Sequence, residues 1–238
     1  MRNVFVLTRR EVASYFVSPI AYVAMALFLV ISGLFFALVD FRAGAPAQMR
    51  SLFDVMIIIL VFVLPILTMK SLSEEHRSGT IETLLTAPVT DLEVVLGKFL
   101  GCWIVYLVML APTLLYLAIL AAFGQPDWGP VASGYLGLVL LGALYVAVGI
   151  LASSLTRSQV IAAVVAVVIL VVLVMLAPWV ATMVPSPWRT AIYQAAVRTH
   201  YEDFSRGVVD LVHVIYFVAL VLYLLFFAVK IVESRRWR

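Results

Sequence analysis

Cysteine is almost missing from this chain. Cys102 is the only one in 238 residues, and it sits inside an apolar run. An intrachain disulfide is therefore impossible, and thiol redox chemistry has no second group to work with. Charge is scarce too: Asp, Glu, Lys and Arg make up 12% of the residues, where a soluble domain carries about one quarter. What replaces charge is apolar surface, 65% of the residues, with a mean hydropathy of +1.13. No water-soluble core needs that much, so the bilayer is the solvent. The net charge of +3 is small and reads as loop bias, not as affinity for nucleic acid.

Other absences exclude chemistries. No charged residue lies between Asp127 and Arg157, or between Arg157 and Arg189. Ion-driven pumps place ionisable groups at membrane depth, whereas Asp40, Asp54, Lys70, Lys98 and Lys230 fall near the ends of apolar runs. An intrinsic ATP site is also missing. Gly97-Lys98 superficially suggests a phosphate-binding loop, but Leu92 stands where that loop needs glycine and Phe99 where it needs Ser or Thr. His76, His200 and His213 have no ligand-like spacing, and His213, close to a membrane boundary, reads as interfacial instead of metal-bound. Neither HExxH nor GxSxG occurs, so an intramembrane hydrolase would lack its metal or its nucleophile. Any work this protein does draws its energy from elsewhere.

Six apolar runs are long enough to cross about 30 Å of hydrocarbon. They lie near 20–39, 52–69, 94–122, 131–155, 159–183 and 211–231. The first is twenty residues, longer than the roughly 7–15 of a cleaved signal, so it is expected to remain as a span even though Ala43-Gly44-Ala45 loosely resembles a cleavage site. An even count puts both termini on one side. That side carries eleven Lys and Arg residues against five on the other, which predicts that it is cytoplasmic.

Before the first span, VFVLTRREVASYF sets Val4, Phe5, Val12, Tyr15 and Phe16 near one helical face and Arg9, Arg10 and Ser14 near another. The pattern suits a helix lying in the membrane interface; a disordered tail is the competing reading. Ser18 and Pro19 have the types expected at a helix cap and first turn. Gly97 with Gly101, Ser133 with Gly137, and Gly149 with Ser153 repeat a small-xxx-small spacing that lets membrane helices approach closely. Pro65 and Pro112 lie inside spans and are expected to kink them. The outer segment 184–210 looks partly helical, with Trp188, Ile192 and Tyr193 suited to the interface. It is either a solvated loop or an element that gates substrate or binds a partner.

The most carefully punctuated polar stretch is MKSLSEEHRSGTIETLLTAPVTDLEVVLGK, residues 69–98. Ser71 and Glu74 have capping-box spacing, which predicts a short helix beginning at Ser71. Ser78-Gly79 then breaks it. Ile81, Leu84, Leu85 and Pro88 form one apolar stripe, with Glu82, Thr83 and Thr86 off it. Thr90 and Glu93 make a second capping box, with Val89 and Val94 spaced as a hydrophobic staple, where the third span should begin. The stripe needs a cover, supplied either by the protein's own helices or by a cytoplasmic partner.

EEHRSGTIETLLTAPVTDLEVVLGKFLG resembles the first cytoplasmic loop of ABC-2 type transporter permeases. A family motif of the form E-x-x-x-G-T-x-E-x-L-L-x-x-P is matched by Glu75, Gly79, Thr80, Glu82, Leu84, Leu85 and Pro88, with Gly97 and Lys98 beyond it. REVASYFVSPIAYV and HYEDFSRGVVDLVHVIYF look like the gliding-motility subgroup of these permeases, and nitrous-oxide-accessory permeases share parts of the pattern. The resemblance implies an all-α integral membrane protein: six transmembrane helices, an N-terminal interfacial elbow helix and a cytoplasmic coupling helix, forming one transmembrane domain over 1–238 with its coupling loop at 70–93. It implies no catalytic residue, metal or cofactor in this chain, ATP and Mg being bound by a partner ATPase subunit. Glu74, Glu75, Arg77, Gly79, Thr80, Glu82, Leu84, Leu85 and Pro88 are then the expected ATPase-coupling residues. The expected partners are that ATPase, a second permease copy or homologue, membrane lipids and an auxiliary membrane protein, with no nucleic acid. A bacterial inner membrane is the expected location. The function implied is export coupled to the partner's ATP hydrolysis. A mechanotransmitter or accessory scaffold without transport stays open beside it, and an autonomous ion-coupled carrier is disfavoured by the missing charges at membrane depth and by the lack of an evident inverted repeat.

Overall fold

The computed structural model describes residues 2–41, 48–74, 89–186 and 188–236. Among these residues every regular element is helical. Helix α1 (Arg2–Val17) precedes the first span. That span is α2 (Pro19–Phe35), which widens into a π-helical turn over Phe36–Asp40. The second is α3 (Arg50–Thr68). The third is split: α4 (Asp91–Leu110) passes through a tight 3-10 turn at Ala111–Thr113 into α5 (Leu114–Phe123). The fourth is α6 (Trp128–Leu155). The fifth combines α7 (Gln159–Val171), a π turn at Val172–Leu176 and α8 (Ala177–Met183). Two short helices follow, α9 (Trp188–Ala195) and α10 (Val197–Ser205), before the last span, α11 (Leu211–Arg236).

Six of these stretches are long and apolar enough to cross a bilayer, so the chain is an all-α integral membrane protein. Their burial is uneven. Of the most apolar stretch of the fourth span 78% is buried, and of the second 67%, against 22% for the first, fifth and sixth. Helix α6 is the central post, packed by α3, α4, α7, α10 and α11. The outer spans turn broad apolar faces outward, among them Val23, Val30, Leu34, Val164, Val168, Leu222 and Phe226. In hydrocarbon such faces carry no penalty.

Small residues explain why α6 can be central. A side chain begun at Gly142 would meet the Tyr106 ring at 2.0 Å, and one at Gly149 would meet Thr68 Oγ1 at 2.0 Å. The neighbours thus reach almost to the α6 backbone. Close approach lets them hydrogen-bond to it: Tyr106 donates to the Leu138 carbonyl (2.7 Å), Trp103 Nε1 to that of Val139 (3.2 Å) and Tyr201 to that of Gly134 (3.2 Å).

The two prolines behave differently. Pro112 coincides with the 3-10 turn that divides the third span. Pro65 lies within α3, whose helix type does not change there. Ser18 and Pro19 do occupy the cap and first position of α2, but the Ser18 side chain makes no capping bond. Its Oγ accepts from Lys70 Nζ at 3.2 Å instead, a charged donor outcompeting a backbone amide.

Replacing Gly142 by Ala should lower the thermal unfolding midpoint in detergent, at a cost of about 1–3 kcal/mol from overpacking against Tyr106. Gly129→Ala should leave the midpoint nearly unchanged, because its Cβ would meet nothing nearer than Asp127 Oδ1 at 3.5 Å. Six crossings also place the exposed Arg157 and Gln125 at opposite ends of α6. Single cysteines at these positions should therefore react with an impermeant maleimide from opposite sides of the membrane; labelling from one side contradicts six crossings.

Candidate functional site

One cluster of shielded polar residues lies where α1, the end of α3 and the start of α4 meet. Helix α1 lies along α4. Gly97 and Gly101 make the groove: a Cβ on Gly97 would sit 2.6 Å from Leu7 Cβ, and one on Gly101 2.6 Å from Glu11 Cβ. The face of α1 that packs here contains Leu7, Thr8, Glu11, Val12 and Tyr15, whereas Phe5 and Phe16, expected on the same face as Val12 and Tyr15, point outward. The glycine groove selects the register, and it favours a strip that brings Glu11 and Tyr15 inward over one that buries the two phenylalanines. Arg9, Arg10 and Ser14 are exposed as expected.

Inside that contact, Lys98 Nζ donates to Glu11 Oε2 at 3.4 Å with both side chains mostly shielded from solvent. Asn3 Nδ2 donates to Glu93 Oε2 at 3.3 Å. Tyr15 donates its single hydroxyl proton to the Leu67 carbonyl at 2.8 Å, so the Cys102 thiol 3.1 Å away is the donor in their contact. Burial, followed by the neighbouring Cys102 and Glu11, pushes the Tyr15 phenol well above its ordinary range, so it remains a donor at any physiological pH. Beside these groups lies a cavity of about 420 Å³ lined by Arg10, Glu11, Ser14, Lys70, Glu74 and Lys98, among others.

The chain leaves α3 through a turn at 69–72 and begins a helix at Ser73–Glu74. The capping box expected from Ser71 and Glu74 does not form: the Glu74 amide donates to the Lys70 carbonyl at 3.4 Å. The acceptor comes from far away in sequence. Ser153 Oγ, on α6, accepts from the amides of Leu72 and Ser73, both at 2.9 Å, and donates to the Met69 carbonyl at 3.2 Å. The Ser153 hydroxyl thus uses its whole hydrogen-bonding capacity on this turn. At the other end, Thr90 and Glu93 form the expected capping box: Glu93 N donates to Thr90 Oγ1 at 3.3 Å and Thr90 N to Glu93 Oε2 at 3.1 Å. Val89 and Val94 both join the apolar core beneath it.

Of the expected coupling residues the structure places Glu74, exposed beside the cavity. Glu75, Arg77, Gly79, Thr80, Glu82, Leu84, Leu85 and Pro88 lie outside the described residues. Leu72–Ser73 and Val89–Thr90, on either side of that segment, are thus held by Ser153 of α6 and by the capped start of α4. Reading the sequence locally missed Ser153, Glu11 and Tyr15. The Gly149–Ser153 spacing signalled close approach but not that its hydroxyl would receive two amides.

At the opposite end, Ser133 Oγ donates to the Phe204 carbonyl (2.6 Å) and fixes α10 onto α6. Arg198 lies 3.9 Å from Asp54 and 3.8 Å from Glu202. No group of three or more His, Cys, Asp or Glu among the described residues is arranged to hold a metal.

Together these features define a polytopic membrane protein whose inner polar groups brace its own helices and hold both flanks of one polar connecting segment. The sequence pattern of the ABC-2 family transporter proteins matches residues 43–193, more than half of the chain, and the protein belongs to that family. It is a membrane component of a transporter, not itself a catalyst. Comparison with curated proteins finds no match.

Removing the Ser153 hydroxyl tests the brace. Ser153→Ala strips the acceptor from two amides at a buried site, at about 1–3 kcal/mol for each left unpaired. The expected result is a lower unfolding midpoint together with faster amide exchange at Leu72 and Ser73; unchanged exchange there would show that the turn holds itself.

Proposed function

We propose that this chain is the permease subunit of an ATP-driven exporter and that the segment from Ser73 to Pro88 docks on a separate ATPase subunit. The family match supports the transport role. The observation that carries the docking role is the bracing of both flanks, at Leu72–Ser73 by Ser153 and at Thr90 by its capping box. A segment whose two ends are fixed to the bundle can pass a push to the spans, whereas one on loose ends would absorb it. Glu74, Glu75 and Arg77 supply charge for the contact, and Leu84 and Leu85 an apolar stripe beneath it. Gly79 permits the turn between the two pieces.

In this reading the partner holds ATP and Mg, and closure of its nucleotide site moves the segment. The eleven-to-five bias of Lys and Arg supports a cytoplasmic side for both termini and the docking segment, and a bacterial inner membrane is the location that goes with this reading. A second permease, identical or homologous, covers one of the exposed faces of the outer spans. The N-terminal and late motifs favour the gliding-motility subgroup, in which an auxiliary membrane protein joins the complex. A second reading, transmission of ATPase work to an outer partner without transport, is favoured by α9. That helix projects Trp188 and Tyr193 outward, away from the core.

The test is capture of the ATPase by the full chain in nanodiscs, with wild type compared with Glu82→Lys and Gly79→Val. Both variants should insert normally. Glu82→Lys should weaken capture by about tenfold if its carboxylate sits at the rim and by several orders of magnitude if it is buried against a partner charge. Wild-type capture and wild-type stimulation of hydrolysis in both variants would make the segment a passive connector.

A further inference from the structure

Two histidines that are thirteen positions apart meet at the end of the bundle opposite the docking segment. His200 is on α10 and His213 is in the first turn of α11. Their Nδ1 atoms are 2.7 Å apart. His200 Nε2 is 2.7 Å from the Gln194 carbonyl oxygen, and His213 Nε2 is 2.8 Å from Asp203 Oδ2. The His200 ring stacks on Tyr216 at 3.8 Å, and the Tyr216 hydroxyl donates to the Ala195 carbonyl at 2.8 Å. The chain Gln194–His200–His213–Asp203 ties the α9–α10 corner to the last span.

The protons in this chain can be counted. A carbonyl oxygen only accepts, so His200 Nε2 must carry a hydrogen. An ionised carboxylate only accepts, so His213 Nε2 must carry one as well. The short contact between the two Nδ1 atoms needs one proton, and only one, between them. Three N–H protons on two imidazoles is one more than two neutral rings hold. All three contacts are therefore made together only when the pair holds a third proton, a single positive charge opposite Asp203. A fourth proton would point two N–H groups at each other across 2.7 Å and put two positive charges side by side. With only two, one of the three contacts would lose its hydrogen.

We propose that His200, His213 and Asp203 form a proton-gated latch, closed while the pair of imidazoles holds one shared charge and released by one further proton, that fixes α10 to the last span. The surroundings supply nothing to neutralise that extra charge. Helix α6 and the π turn at Val172–Leu176, which pack on α10, contain no charged residue. On α10 itself, Glu202 is engaged by Arg198 and Arg206, both at 3.8 Å, and Arg198 also faces Asp54 of α3. Asp210, just before α11, accepts from the Val212 amide at 3.0 Å. On α9, Arg189 lies against the Thr182 carbonyl at 3.4 Å. Phe204 and Tyr216 close the remaining sides with aromatic rings.

Burial holds His200 below the usual imidazole range; the Gln194 carbonyl opposes this, His213 reinforces it and Asp203 opposes it. A histidine lowered in the closed form favours closure above its ordinary pKa and loses that contribution as pH falls through the lowered value. Release is therefore an acid event. The carbonyl of Phe204 stays bonded to Ser133 and the Tyr201 hydroxyl to the Gly134 carbonyl. Helix α10 thus remains on α6 while α11 is freed from it. The latch rests on the fold alone and holds whatever the protein transports.

Amide exchange of the full chain in nanodiscs, corrected for the intrinsic pH dependence, tests the latch. Between about pH 7.5 and about pH 5, residues 194–200 and 211–216 should lose protection by up to about tenfold for each pH unit between the ordinary imidazole pKa and the lowered one, while residues 91–110 stay unchanged. His200→Gln keeps an amide donor for Gln194 and an oxygen acceptor for His213 but has no site for the extra proton, so its protection should show no acid step. A flat wild-type profile, or an equal step in His200→Gln, overturns the proposal. Nitrogen-15 NMR of histidine-labelled wild type at about pH 7.5 provides a second measurement that needs no variant. Three protons on the His200–His213 pair are expected, and two singly protonated rings would overturn the latch.

Discussion

Hydrocarbon gives helices no hydrophobic reason to associate, so contact inside a bilayer must rest on close packing and on hydrogen bonds made between helices. Helix α6 meets that requirement for the whole bundle. Its glycines let Phe53, Tyr106, Tyr201 and Thr68 come to backbone distance, and its carbonyls at Gly134, Leu138 and Val139 accept bonds from the helices that do so. The same rule explains the contrast with the first, fifth and sixth spans. Those helices present large aliphatic residues outward, the fifth and sixth packing against α6 and the first against α3.

One helix therefore reaches both working ends of the molecule. Near its last turn Ser153 holds the departure of the polar segment that follows α3. Near its first turn Ser133 holds α10. The elbow helix α1 adds a second support at the first end, seated in the Gly97–Gly101 groove and locked by Lys98 and Glu11. Both flanks of the segment 75–88 thus connect to α6 and α4 through packed side chains and short polar bonds. The proposed ATPase-driven role would use such bracing, and so would a protein that relays force to an outer partner.

Much of this was legible from sequence where the cause is local. Apolar run length revealed six membrane-crossing helices, and the Thr90–Glu93 box, whose two members lie three residues apart, formed as its spacing predicts. Features with distant partners were not legible. Ser71 and Glu74 have the same spacing as Thr90 and Glu93, yet Ser153 satisfies that turn, because α6 runs past it. Ser18 sits at a helix cap but gives its oxygen to Lys70. Apolar periodicity grouped Phe5 and Phe16 with Val12 and Tyr15 on one face of α1, whereas the glycine groove seats the strip with Glu11 and Tyr15 and leaves the two phenylalanines outward. His200 and His213 looked isolated because the turn that brings them together, through Gly207 at a φ of 91°, is visible only when α10 is seen folded against α11. For the expected coupling residues, the motif match remains the evidence for Glu75 to Pro88.

In the proposed function this chain transmits energy that another subunit releases. The decisive measurement is ATP hydrolysis by the purified permease in nanodiscs, before and after adding the ATPase that co-purifies with it. No hydrolysis by the permease alone is expected, since Leu92 and Phe99 stand where a phosphate-binding loop needs glycine and a hydroxyl. Hydrolysis by the assembled complex should exceed that of the ATPase alone. Hydrolysis by the permease free of any partner, or an ATPase rate indifferent to its presence, would rule out an externally driven permease.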